Sequence, residues 1–260
     1  MKAFIKSYYK TLIFFGIIGL VGGFFVGLYL LDSYPRQITE QLKEELATAG
    51  LGTIPADLLL GALTAVQSMA YGVILGGIGI FLAKRVGLWR DERRIERRPL
   101  LIALLFSIIG GAALILPDVL FFGKQVPAIA ESYAAKPTVA YIFAAATYGG
   151  VIEEVMLRLF MMSLVAFILC KLFGKGIDKP STAMLVAANL VAAMLFAAGH
   201  LPNTFILLGS SPVIIARCFI LNGGFGLVFG YLYRRSGLRY AMIAHGGCHI
   251  ISKLIWILFI

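Results

Sequence analysis

Seven long apolar stretches, separated by short polar connections, constrain the fold of this 260-residue chain more than any other feature. A helix of about 20 residues crosses the hydrocarbon core of a membrane. Backbone N–H and C=O groups find no partners in lipid, so segments of this kind must be helical. We therefore expect an all-α, polytopic membrane helix bundle that forms a single domain over residues 1–260. The stretches are 11–31, 58–82, 100–121, 138–172, 183–208, 212–233 and 239–260.

The composition points to the lipid bilayer as the principal partner. Mean hydropathy is +0.91 and 14% of the residues are charged, whereas about 25% are charged in an average soluble domain. The net charge of +10 does not indicate nucleic-acid binding, because the basic residues lie in short connections between apolar stretches. An integral protein of a prokaryotic cell membrane is expected.

The number of spans is open between seven and eight transmembrane helices. As one helix, 138–172 would be about 50 Å long, which exceeds a core of about 30 Å. The segment must therefore tilt, protrude or break, and Gly149-Gly150 is the expected break point.

The connections also predict an orientation. Those at 84–98, 171–179 and 234–239 are rich in Lys and Arg, whereas 32–57 is rich in acidic residues. Basic connections face the cytoplasm, so seven spans give a cytoplasmic N-terminus and an external C-terminus. The amphipathic segment 36–49 is expected to form a short external or interfacial helix.

Three charged residues and every histidine of the chain fall within or beside the apolar stretches. A charge near the bilayer centre costs about 2.5 kcal/mol or more, so such residues are functional candidates. At the helical rise, all of them lie within about 7 Å of the midpoints of their stretches. They are Glu153, Glu154, Arg158, His200, His245 and His249.

Spacing assigns partners within this set. Glu154 and Arg158 are i,i+4 neighbours suited to a helical ion pair, which leaves Glu153 free to act. His245 and His249 share one helix face by the same spacing. Taken singly, the ion pair fits a structural role as well as a catalytic one, and a single buried histidine is more often a hydrogen-bonded contact between helices. Together at one depth, a carboxylate and three imidazoles are typical of proton transfer or metal binding.

Three further charged residues are expected to have structural rather than catalytic roles. Arg217 is expected to snorkel or to pair with a glutamate, with a substrate carboxylate as the functional alternative. Asp118 and Lys253 lie near the ends of their stretches and are expected at the membrane interface.

The order of motifs resembles a known family. Glu153-Glu154-x-x-x-Arg158, then Phe196-x-x-x-His200, then His245 with a polar residue four positions later, is similar to the pattern of the CAAX-protease and bacteriocin-processing (CPBP) family. These are intramembrane endopeptidases that include the Ras-converting type. The resemblance covers about 138–260. It implies a peptide or membrane-protein substrate, with a prenylated C-terminal tail as one option.

The chain departs from the family pattern at two positions. Leu159 stands where the family usually has Gly, which affects packing rather than chemistry. His249 stands where the family often has Asn. An Asn would donate a hydrogen bond to an oxyanion; a histidine can donate too, and can also ligate a metal.

In the favoured hypothesis, a water held between Glu153 and His200 hydrolyses the peptide bond, and no cofactor takes part. His245 and His249 donate hydrogen bonds to the oxyanion. Glu154, with Arg158, orients Glu153. A zinc protease is the first alternative, with the three histidines and one glutamate as ligands. A proton-coupled transporter and a non-catalytic immunity or scaffold protein are alternatives of other classes.

Overall fold

The structure is a computed structural model that describes residues 2–90, 94–174 and 179–260, with side chains from residue 6 onward. These residues form helices and short connections, without a strand. The helices are α1 (Lys2–Ser33), α2 (Arg36–Thr48), α3 (Ala56–Arg85), α4 (Arg97–Gln125), α5 (Pro127–Ser132), α6 (Val139–Phe173), α7 (Thr182–Leu208), α8 (Pro212–Ser236) and α9 (Leu238–Phe259).

All of these helices except α2 and α5 are long and apolar enough to cross a membrane, which makes seven in the described part of the chain. At most 39% of the apolar window of any of them is buried inside the protein. Their outward faces therefore carry large apolar side chains that suit contact with lipid. The predicted all-α, polytopic bundle of an integral membrane protein is confirmed, and each predicted span corresponds to one helix.

The stretch predicted at 138–172 forms one continuous helix, α6, rather than two segments. In place of a break at Gly149-Gly150, the helix widens to a π-helical course over Ala145–Glu153 and Val155–Met162. π-Helical turns re-aim side chains and occur frequently at functional sites. The widened part of α6 carries both glutamates and Arg158, so it sets the direction of these three side chains.

Helices α1 and α3 contact closely through small residues. A Cβ atom added to Gly19, Gly23 or Gly27 would lie within 2.6 Å of atoms of α3, and Thr64 Oγ1 donates a hydrogen bond to the carbonyl of Gly23 at 2.7 Å. Small residues at four-residue spacing are typical of close helix pairs in membranes. This pair forms one flank of the bundle.

The basic connections meet at one end of the bundle. Arg90 donates to the carbonyl of Arg235 at 2.8 Å, and Arg239 donates to the carbonyl of Arg94 at 3.2 Å. Residues 91–93 of the first connection and 175–178 of the second lie outside the described residues. At the opposite end, α2 corresponds to the helix predicted for 36–49.

Candidate active site

Two glycines bring α6 and α9 into backbone contact at the centre of the bundle. A Cβ atom on Gly150 would lie 2.7 Å from Gly246 Cα, a distance that no side chain tolerates. Glu153 and Glu154 follow Gly150 by one helical turn, and His245 immediately precedes Gly246. The close approach therefore places the glutamates of α6 beside the histidines of α9.

Glu154 is held by two partners. Its Oε1 lies 2.9 Å from His245 Nδ1, and its Oε2 lies 3.5 Å from Arg158 Nε. Glu154 and Arg158 are both fully buried. The Arg158 guanidinium also stacks over the ring of Phe196 at 5.1 Å, an attractive contact for a desolvated cation. The predicted Glu154–Arg158 pair is therefore present, and His245 joins it.

Glu153 faces two other imidazole nitrogens. Its Oε1 lies 3.9 Å from His200 Nε2, and its Oε2 lies 3.8 Å from His245 Nε2. Both distances exceed direct hydrogen-bond length, and 16% of the Glu153 side chain is exposed. Its carboxylate therefore makes no direct hydrogen bond to either ring and remains accessible to a further group.

The hydrogen bond of His200 determines which of its nitrogens is free. His200 Nδ1 lies 2.8 Å from the carbonyl oxygen of Phe196. A carbonyl only accepts, so Nδ1 carries the proton in this bond. In the neutral ring, Nε2 is then an acceptor, and it is the nitrogen that faces Glu153.

His249 lies one turn beyond His245, with its ring centroid 4.9 Å from that of His245. A Cβ atom on Gly149 would approach His249 Nε2 to 2.9 Å, so the glycine makes room for this ring. His249 Nδ1 is buried without a hydrogen-bond partner. An unsatisfied buried polar atom is costly, so this nitrogen has the capacity to hydrogen-bond a further group.

All six predicted site residues thus meet in one cluster formed by α6, α7 and α9. Four of them, Glu153, His200, His245 and His249, line a cavity of about 670 Å³ with mainly apolar walls. Asn203 and Asn222 also line this cavity. Sequence reasoning misses these two residues, because a neutral amide in an apolar stretch is a weaker signal than a charge.

The spacing of the side chains bears on whether this site could hold a metal ion. Within the described residues, no three His, Cys, Asp or Glu side chains are grouped closely enough to hold a metal ion. His200 and His245 face Glu153, and His245 also contacts Glu154. His249 lies beside the ring of His245.

Asp118 and Lys253, which are expected at the membrane interface, are buried among the helices. Their exposed fractions are 1% and 5%, and both side chains line the cavity. Arg217 forms a two-pronged ion pair with Asp118, an aspartate rather than the expected glutamate. Sequence position alone missed this pair because 99 residues separate its members.

The first departure from the family pattern is accommodated by α3. Leu159 is fully buried, and a Cβ atom on Gly79 would lie 2.8 Å from Leu159 Cγ. The larger residue on α6 therefore faces a glycine on α3. As expected, the change affects packing, and it lies outside the cluster around Glu153.

Comparison with known proteins agrees with the motifs. Residues 135–251 match a family model described as Type II CAAX prenyl endopeptidase Rce1-like. No curated protein and no solved structure matches the chain. The matched segment contains all six clustered residues, and the match confirms the resemblance to CAAX proteases.

Proposed function

We propose that this member of the CAAX-protease family is a glutamate-type intramembrane endopeptidase. The observation that carries the proposal is the accessible Glu153 carboxylate, placed 3.9 and 3.8 Å from the Nε2 atoms of His200 and His245 in a largely apolar cavity. A carboxylate and an acceptor imidazole that converge from two helices suit the activation of one water molecule.

The first step is attack by water. The water contacts Glu153 Oε1 and His200 Nε2 and loses a proton to Glu153 as its oxygen bonds to the peptide carbonyl carbon. The carbonyl π bond opens, and its electron pair moves to the oxygen. His249 donates a hydrogen bond to this oxyanion, and His245 does so when Nε2 carries a proton. Fixed donors of this kind stabilise the charge that develops in the transition state.

The second step is collapse of the tetrahedral intermediate. The carbonyl double bond re-forms as the C–N bond breaks, and Glu153 returns the proton to the leaving amide nitrogen. The products are a carboxylic acid and an amine, and Glu153 is regenerated as a carboxylate. One residue acting first as base and then as acid satisfies the proton balance.

The Glu154–Arg158 pair is proposed to position His245. Glu154 accepts from His245 Nδ1 at 2.9 Å, and Phe229 stacks on the ring at a centroid distance of 4.4 Å. These contacts hold Nε2 toward Glu153. Arg158 neutralises the buried Glu154 charge and touches no cavity surface.

The proposed substrate is a peptide or the tail of a membrane protein, delivered from the bilayer. The cavity walls carry many apolar and aromatic side chains, which suit apolar peptide side chains and a prenyl group. No cofactor enters the proposed reaction. The zinc alternative differs in making His249 a metal ligand.

The proposal is tested with purified full-length protein reconstituted in lipid vesicles. The probe is a peptide that carries a farnesylated cysteine followed by three aliphatic residues. In isotope-labelled water, we expect the heavy oxygen in the newly formed carboxylate, and no product from Glu153→Gln. Product formation by Glu153→Gln at the wild-type rate would contradict the proposal.

A further inference from the structure

Lys253 is a buried cation in the wall of the cavity. Only 5% of it is exposed, and its ammonium lies 4.2 Å from the centroid of the Tyr141 ring. No carboxylate among the described residues forms an ion pair with it. A cation–π contact offsets part of the cost of removing an ammonium from water, and an anion would offset much more.

The other long cationic side chain of the cavity is already neutralised. Arg217 is paired with Asp118, which also accepts a hydrogen bond from the hydroxyl of Tyr133 at 2.9 Å. These partners engage both oxygens of the aspartate. Among the described lysines and arginines that line the cavity, Lys253 is thus the one with capacity for an added anion.

The distance between Lys253 and the cluster around Glu153 predicts how many substrate residues would lie between them. His245 and Lys253 lie on the same helix, α9, eight residues apart by their numbers, which is about 12 Å along its axis. An extended peptide advances about 3.3 Å per residue. A peptide carbonyl held at Glu153 and an anion held at Lys253 would therefore be separated by about three or four residues.

We propose that Lys253 binds the free C-terminal carboxylate of the substrate and so fixes cleavage about three or four residues before the chain end. The inference rests on the proposed peptidase function. The cavity runs past both groups, and its apolar walls would hold the side chains between them. The enzyme would then prefer a short, free C-terminal tail to an internal peptide bond.

The test compares two forms of the farnesylated peptide, one ending in a free acid and one in an amide. Binding to full-length Glu153→Gln protein in vesicles is measured, because this background prevents turnover. We expect the acid to bind about tenfold or more tightly than the amide, as a charge-assisted hydrogen bond is worth one to two powers of ten. Adding Lys253→Met should bring this ratio close to one, whereas Lys253→Arg should retain most of it.

Lys124→Met is the matched control. Lys124 is exposed near the end of α4, toward the same end of the bundle as Asp118, and its loss should leave the ratio unchanged. Equal binding of acid and amide with Lys253 intact, no binding of the acid, or an unchanged ratio in Lys253→Met would overturn the inference. A melting curve for Lys253→Met shows whether that protein is folded. If it is not, the acid-to-amide binding ratio of Lys253→Arg decides, and loss of that ratio would overturn the inference.

The two proposals fail differently. Glu153-dependent cleavage of acid and amide peptides at equal efficiency would remove the role of Lys253 and leave the peptidase intact. Acid-selective binding that depends on Lys253, together with unchanged cleavage by Glu153→Gln, would remove the proposed mechanism and leave the carboxylate site. Lengthening the tail from three to six residues should also weaken binding of the acid.

Discussion

Glu154 Oε1 lies 2.9 Å from His245 Nδ1, although the two residues are 91 positions apart and belong to different helices. The contact is almost completely buried. It joins the first motif to the last and fixes the ring of His245, so that its other nitrogen faces Glu153. The two adjacent glutamates therefore have different surroundings, one enclosed by a cation and an imidazole, the other open to the cavity.

Glu153→Gln should abolish peptide hydrolysis and leave the fold intact. An amide cannot take the proton from water, and loss of a general base costs about 10²–10⁴ in rate. Turnover of the farnesylated peptide and the melting temperature are measured together. Glu131→Gln, an exposed glutamate on α5, is the control and should behave as wild type. A rate for Glu153→Gln within a few-fold of wild type would contradict the proposed base.

Glu154→Gln should destabilise the protein, in contrast to Glu153→Gln. It would leave the fully buried Arg158 charge without a counter-charge, and breaking a buried pair on one side costs about 3–5 kcal/mol. Thermal unfolding in lipid–detergent micelles measures the effect.

The double variant Glu154→Gln/Arg158→Met provides the control for this reading. It removes both charges, so it should be more stable than Glu154→Gln alone. Equal melting temperatures for the single and double variants would mean that the Arg158 charge does not depend on Glu154.

Much of the fold could be predicted from the sequence because hydrocarbon thickness permits few solutions. Each apolar stretch became one helix, with ends displaced by a few residues from the predicted positions. Depth along each stretch also placed the histidines of α7 and α9 at the level of Glu153. What depth does not give is azimuth, the direction in which a side chain leaves its helix.

The contacts that could not be predicted from the sequence are those that depend on side-chain direction. The π-helical course of α6 changes side-chain directions that an ideal 3.6-residue turn would predict. The Gly150–Gly246 contact and the Asp118–Arg217 pair depend on which helices are neighbours. An i,i+4 rule operates within one helix, so it predicted the Glu154–Arg158 pair and missed the bond from Glu154 to His245.

Gly149→Ala should impair catalysis by displacing His249. The added methyl group would lie 2.9 Å from His249 Nε2 and 3.1 Å from the adjacent ring carbon, so the ring must move. A displacement of about 1 Å at a catalytic group can cost about 10²-fold in rate. Gly199→Ala is the matched control: it lies beside His200, and its Cβ would meet nothing within 4 Å. Equal activity of the two variants would show that the position of His249 does not matter.

The two termini should lie on opposite sides of the membrane, with the N-terminus in the cytoplasm. An odd number of crossings separates the ends, and the arginine-rich connection at 84–98 favours the cytoplasmic face. Cysteine accessibility at Trp89 and at Ile260 in sealed cells measures this. Labelling of both positions from the same side would contradict this topology, since seven spans place Trp89 and Ile260 on opposite sides of the membrane.

The role of His249 separates the glutamate mechanism from the zinc alternative. Its buried Nδ1 has no partner, and its ring lies beside that of His245, as expected of an oxyanion donor. His249→Asn should then keep substantial activity, because an amide also donates a hydrogen bond. His249→Ala should lose about 10²–10³ in rate.

If His249 were a zinc ligand, Asn would fail nearly as badly as Ala, since an amide binds zinc poorly beside imidazole. Chelator would then also inactivate the wild type, and added zinc would restore it. We expect wild-type turnover to persist in chelator, with His249→Asn well above His249→Ala; the reverse of both results would replace Glu153-activated water with metal-bound water.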